Sequence, residues 1–91
     1  MTDNNNNVAL SWSKGKVAKS LNMWTDGKNV YSYELMIGTT ENGSKISFPY
    51  TASEGEFVSN TTSRHCYYVG KYADERRFVK GKEYKYNYRY A

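Results

Sequence analysis

Ninety-one residues, 38% hydrophobic but 16% aromatic, make one domain with a thin core that relies on rings for its buried area. A single cysteine excludes an internal disulfide and with it the usual small secreted scaffold. The net charge of +4 is uneven: residues 1–63 carry five Lys/Arg against six Asp/Glu, and residues 64–91 carry eight against three, which favours an acidic or polyanionic partner.

The opening MTDNNNN is polar and low in complexity, and reads as a disordered tail over residues 1–7, with a single domain over 8–91. No basic segment followed by an apolar run marks a signal peptide, and no stretch approaches the ~20 apolar residues of a membrane helix. The expected location is the cytoplasm, that of the host cell if the protein is viral.

VALSW alternates Val8, Leu10 and Trp12 against Ala9 and Ser11, which predicts a short half-buried strand. SKGK supplies a turn at Gly15. VAKSLNMW is compatible with strand or helix, and the Asp26-Gly27 turn signal after it favours strand. VYSYELMIGTT predicts one long strand with Tyr31, Tyr33, Leu35 and Ile37 facing inward. Asn42-Gly43 is a type I′ hairpin signal. KISFPYTA pairs back, with Pro49 expected at a sheet edge because it lacks a donor.

The period then changes. Asn60, Thr61, Thr62 and Ser63 can each cap a helix, and Cys66, Val69 and Ala73 follow on one face, which predicts a helix from about Thr62 to Glu75. Gly70 weakens it. KGK turns into KEYKYNYRYA, where Tyr84, Tyr86, Tyr88 and Tyr90 share one side of a strand and Lys85, Asn87 and Arg89 the other. Tyr84 and Tyr86 are expected in the core, and Tyr88 and Tyr90 at the surface with Arg89. The fold class is thus α+β: a four- to five-stranded antiparallel sheet with one short helix packed on one face.

His65 and Cys66 are the single histidine and the single cysteine. Neighbours on a helix point about 100° apart, so they do not form a nucleophile–base pair. No spacing suits zinc or another metal, and no glycine loop suits a phosphate, so no metal or cofactor is expected. His65, Cys66, Thr62 and Gly43 are read as structural, with His65 anchoring the helix to a strand backbone. No catalytic residue is assigned. The candidate binding surface is the basic, tyrosine-rich C-terminal third: Arg76, Arg77, Lys85, Tyr88, Arg89 and Tyr90. Such residues suit protein interfaces, and also single-stranded nucleic acid through base stacking.

The run YSYELMIG, followed by FVSNTTSRHC, resembles small uncharacterised proteins of phages and archaeal viruses. These carry a Y-S-Y-x-x-x-I strand, a glycine hairpin and an S-x-T-T-S-[RK]-H segment opening a helix. The matching positions are Tyr31–Ile37, Asn42–Gly43 and Ser59–His65. The resemblance implies a viral or mobile-element origin and brings no catalytic residue, and the tyrosine strand lies beyond it. Small viral proteins of this kind often act by occupying a host machine, such as a defence nuclease. The expected function is therefore non-enzymatic docking on a host protein or ribonucleoprotein. The alternatives are direct nucleic-acid binding and, more remotely, a small ribonuclease using His65. The oligomeric state is left open.

Overall fold

Asn4 accepts a hydrogen bond from the Asn7 amide (2.8 Å) and so caps a first helix, α1 (Asn5–Ser13). The computed structural model describes residues 4–50 and 59–77. VALSW is therefore helical, not a strand. Val8 and Trp12 are four apart, a spacing common to one helix face and to one strand face, and the asparagine cap tips the balance. Val8, Ala9 and Trp12 are all fully buried. The asparagines expected in a disordered tail also fasten the helix: Ser20 Oγ donates to Asn5 Oδ1 (2.5 Å), and Tyr72 OH donates to Asn6 Oδ1 (3.1 Å).

Six strands follow: β1 (Val17–Lys19), β2 (Met23–Asp26), β3 (Val30–Ser32), β4 (Leu35–Glu41), β5 (Ser44–Ser47) and β6 (Glu75–Arg76), paired in that order. All neighbours are antiparallel except β5 and β6, which are parallel. The α+β expectation holds, with two helices and six strands among the described residues where one helix and four or five strands were expected.

Two of the additional strands come from turns without glycine, and β6 begins at Glu75, where the helix was expected to end. Ser20 N–H donates to Met23 O (2.7 Å), so Leu21 and Asn22 form a two-residue loop that splits VAKSLNMW into β1 and β2. The chain turns again at Tyr33–Glu34, with Tyr33 at φ 57°, and Ser32 pairs with Leu35. Tyr33 is held there by its N–H to Asn22 O (2.8 Å) and its carbonyl to Trp24 Nε1 (2.9 Å). This turn corrects the predicted facing of VYSYELMIGTT. Leu35 and Ile37 are buried as expected, but Val30 and Ser32 are the inward residues of β3, and Tyr31 lies on the opposite face.

The Asn42-Gly43 turn has both residues at positive φ (52° and 83°), the type I′ pattern expected there. Gly15 and Gly27 also take positive φ (74° and 99°), and their turns touch: a Cβ on Gly27 would lie 2.9 Å from Gly15 O. Pro49 follows the end of β5, where no donor is required of it.

The second helix, α2 (Asn60–Tyr72), starts earlier than expected, because Ser59 rather than a later residue caps it by accepting from the Thr62 amide (3.1 Å). It ends before Glu75, which lies in β6. Both helices contribute to one core with Trp12, Met23, Val30, Leu35, Ile37, Cys66 and Val69. A bulge in β4 sets Gly38 opposite Val30, where a Cβ would meet Val30 Cγ1 at 2.7 Å and Val69 Cγ1 at 3.1 Å. Glycine at this point lets α2 close onto the sheet.

Candidate functional site

Two groups of side chains stand out: a buried polar trio under α2 and an exposed row on the opposite face of the sheet. In the trio, Ser32 Oγ lies 2.6 Å from His65 Nδ1 and 3.0 Å from Thr62 Oγ1, and all three residues are at most 1% exposed. Thr62 and His65 are three apart on α2 and so share a face toward β3. His65 does anchor the helix to a strand, through a serine hydroxyl and not through the expected backbone group. Burial, with a smaller contribution from the Arg64 charge, pulls its pKa down to about 4, so the ring is neutral at physiological pH. Cys66 points into the core, with Sγ 3.6 Å from Phe48 O, and burial pushes its thiol up to about 12. It is an unreactive space-filling residue.

The exposed row is built by register. Lys19 pairs with Trp24, Trp24 with Tyr31, and Tyr31 with Met36, so four neighbouring strands present one side chain each to the face that α1 and α2 leave open. Trp24 and Tyr31 stack with centroids 4.0 Å apart and planes within 10°. Trp24 is fixed by its bond to Tyr33 O, and Tyr31 OH accepts from Asn29 Nδ2 (3.3 Å). Stacking uses one face of each ring, so the row meets solvent through ring edges, the Trp24 face turned away from Tyr31 and the Met36 side chain. Beside it stand Val17 and Leu21, 78% and 84% exposed, a costly display of aliphatic surface in a chain with so few aliphatics to bury.

At the β1–β2 end lies a shallow hollow of about 230 Å³, lined by Val17, Ala18, Lys19, Trp24 and Thr25. The Ala18 and Thr25 side chains are buried, so their backbones form its floor. Lys14, Lys16 and Lys28 sit on the two touching turns nearby. The one carboxylate there, Asp26, already accepts from the amides of Lys28 (2.9 Å) and Asn29 (2.7 Å). Those bonds hold its pKa below the ordinary value.

Of the expected binding residues, Arg76 and Arg77 are exposed at β6. Arg77 is committed to an ion-pair network, with Nη1 3.1 Å from Glu41 Oε2 and Nη2 3.2 Å from Glu75 Oε2. Lys85, Tyr88, Arg89 and Tyr90, and the tyrosine strand they belong to, lie outside the described residues. Gly43 sits at its hairpin, away from both groups. Sequence reading missed Lys19, Trp24 and Met36, because placing them in one row requires the two turns that carry no glycine. Among the described residues, no group of three or more His, Cys, Asp or Glu could hold a metal ion, and no helix is long and apolar enough to cross a membrane.

Neither a family model, nor a curated protein, nor a solved structure matches the chain.

Proposed function

We propose that this is a non-enzymatic binding protein that docks on a host protein, or on the protein part of a ribonucleoprotein, through the open face of its sheet. The observation that carries the reading is the Trp24–Tyr31 stack set between Lys19 and Met36 on that face, with Val17 and Leu21 exposed alongside. Aromatic residues and methionine are enriched at protein interfaces, where a few fixed rings supply most of the affinity. The stack leaves the Trp24 face turned away from Tyr31 free, and the exposed Val17, Leu21 and Met36 around it suit contact with apolar side chains better than contact with a phosphate backbone. The histidine that could serve a ribonuclease is 1% exposed and bonded to a buried serine, which speaks for a structural part. Resemblance to small phage and archaeal-virus proteins supports a viral or mobile-element origin, action in the host cytoplasm, and inhibition of a defence system as the kind of task. On sequence grounds, Arg76, Arg77, Lys85, Tyr88, Arg89 and Tyr90 are proposed as further partner-binding residues.

The test is an affinity capture from host extract with the full chain, its Tyr31→Ser and Met36→Asp variants, and nuclease treatment in parallel. Capture of one protein that resists nuclease and is lost with either variant is the expected result. Capture unchanged by both variants would refute the open face as the docking surface. A second reading, binding of single-stranded nucleic acid, is favoured by one observation, the lysines around the free face of Trp24. Capture abolished by nuclease, with affinity falling steeply in salt, would establish it instead.

A further inference from the structure

The docking reading leaves the chemistry of the partner open, and the β1–β2 corner narrows it. β1 is the outermost strand, and among the described residues no strand pairs with its other side. Proteins usually blunt such an edge, since its unpaired backbone groups recruit other chains. Here the blunting is partial: β1 is three residues long and carries Lys19, but Val17 is 78% exposed and Leu21 follows in the turn.

Resting on the docking reading, we infer that this edge takes up an extended acidic segment of the partner protein as an added strand, with one ring-bearing side chain in the hollow against Trp24. Addition of a strand to an exposed edge draws its affinity from main-chain hydrogen bonds and its selectivity from pockets for alternate side chains. The hollow, about 230 Å³, is below the size range of cofactor and small-molecule pockets and is suited to a single side chain. Its walls are apolar, formed by Val17, the stem of Lys19 and the Trp24 ring face that Tyr31 does not cover. A flat ring laid there gains stacking as well as burial.

Charge selects the segment. Lys14, Lys16, Lys19 and Lys28 lie on β1 and the two turns beside it, and the Asp26 carboxylate, kept ionised by two backbone amides, offsets only part of their charge. Acidic residues flanking the ring would meet this field, which steers association and rejects basic partners. The same field disfavours a second copy, because edge-to-edge pairing would bring two sets of lysines together. Nucleic acid fits less well. β1, β2 and the turns beside them carry lysines and no arginine fork for phosphates, and Val17 and Leu21 would gain nothing from a phosphate backbone.

The experiment selects random 12-residue peptides displayed on yeast against the full chain. Enriched peptides are then synthesised and their affinities measured by fluorescence anisotropy. Wild type is compared with Val17→Glu, with the pair Lys16→Glu/Lys19→Glu, and with Met36→Asp, each checked for native circular dichroism. All of these positions except Met36 are strongly exposed, so the first two variants should fold. The expected result is a set of acidic peptides with one aromatic residue, at least tenfold weaker binding to Val17→Glu and to the lysine pair, and peptide-induced NMR shifts at the Val17–Lys19 amides and the Trp24 indole. Enriched peptides without acidic residues or a ring, or affinities unchanged by both β1 variants, would overturn the inference. Peptides lost with Met36→Asp but not with Val17→Glu would overturn it while leaving the docking face intact. No enriched peptide and no shift anywhere on the face would sink both. A (dT)12 oligonucleotide run in parallel that shifts the same residues would assign the corner to nucleic acid.

Discussion

The two faces of the sheet are made from alternate residues of the same strands, yet they are built to different rules. Inward, Ala18, Met23, Thr25, Val30, Ser32, Leu35 and Ile37 are closed over by two helices. Outward, Lys19, Trp24, Tyr31 and Met36 are joined to each other across the strands and covered by neither helix. The inner face holds aliphatic groups of varied shape and one satisfied polar trio, which together define a single packing. The outer face holds rings whose polar atoms are already bonded to the protein's own backbone or side chains. Stability therefore resides on the first face, and the proposed docking would use the second.

The contrast is most directly broken with a pair of tryptophans. Trp12 is fully buried, donates Nε1 to Lys28 O (2.9 Å) and lies under the Lys45 ammonium. Trp12→Ala should cost about 3–5 kcal/mol by chemical denaturation. Trp24→Ala should cost about 1 kcal/mol or less, the scale of a cross-strand aromatic pair, while abolishing partner capture. Equal costs for the two would erase the distinction between the faces.

Between pH 6.5 and 4, acid should act on the inner face through His65. The folded-state pKa of His65, about 4, lies below its ordinary 6.5, so folding favours the neutral ring. Its contribution is complete above pH 6.5 and is lost as the pH falls through 6.5 toward 4, up to about 3 kcal/mol in all. Denaturant midpoints measured across that window should drop for the wild type and lie flatter for a His65→Asn variant, which begins from lower stability. An identical slope in the two proteins would mean that another group carries the acid response.

Smaller in size and opposite in sign is Gly70→Ala. Gly70 lies within α2, and a Cβ there meets nothing within 4 Å. Alanine should raise stability by about 0.5–1 kcal/mol without altering capture. A loss would mean that this side of α2 is covered in solution.

How far the sequence disclosed this arrangement depended on the kind of turn. Asp26-Gly27 and Asn42-Gly43 announce themselves because positive φ is cheap for glycine and tolerable for asparagine, and both hairpins lie where they were expected. Leu21–Asn22 and Tyr33–Glu34 give no such signal. The second even places a tyrosine at φ 57°, a conformation maintained by tertiary hydrogen bonds that a local reading does not contain. Each missed turn merged two short strands into one. Merging β3 with β4 put Tyr31 on the wrong face and concealed the row it belongs to. The helix at residues 60–72 was legible because a cluster of capping residues precedes a change of period. The helix at residues 5–13 was not, since Val8 and Trp12 satisfy either period and a run of asparagines resembles a tail. His65 was read as structural from the lack of a partner at useful spacing, and the serine its ring meets, 33 positions away in the chain, was not legible.

The contact between the Gly15 and Gly27 turns has a thermodynamic consequence. Two loops that carry Lys14, Lys16 and Lys28 are locked backbone against backbone, and the Lys28 carbonyl is pinned by both Trp12 and Thr40 (2.9 Å each). Loops of lysine would ordinarily lose much conformational freedom when a partner arrives. Here the backbone part of that loss is already met during folding, so association has only the side-chain tips left to order. A side chain placed at Gly27 would pry the turns apart and return that entropy cost to the encounter, weakening the complex without removing any group that touches the partner.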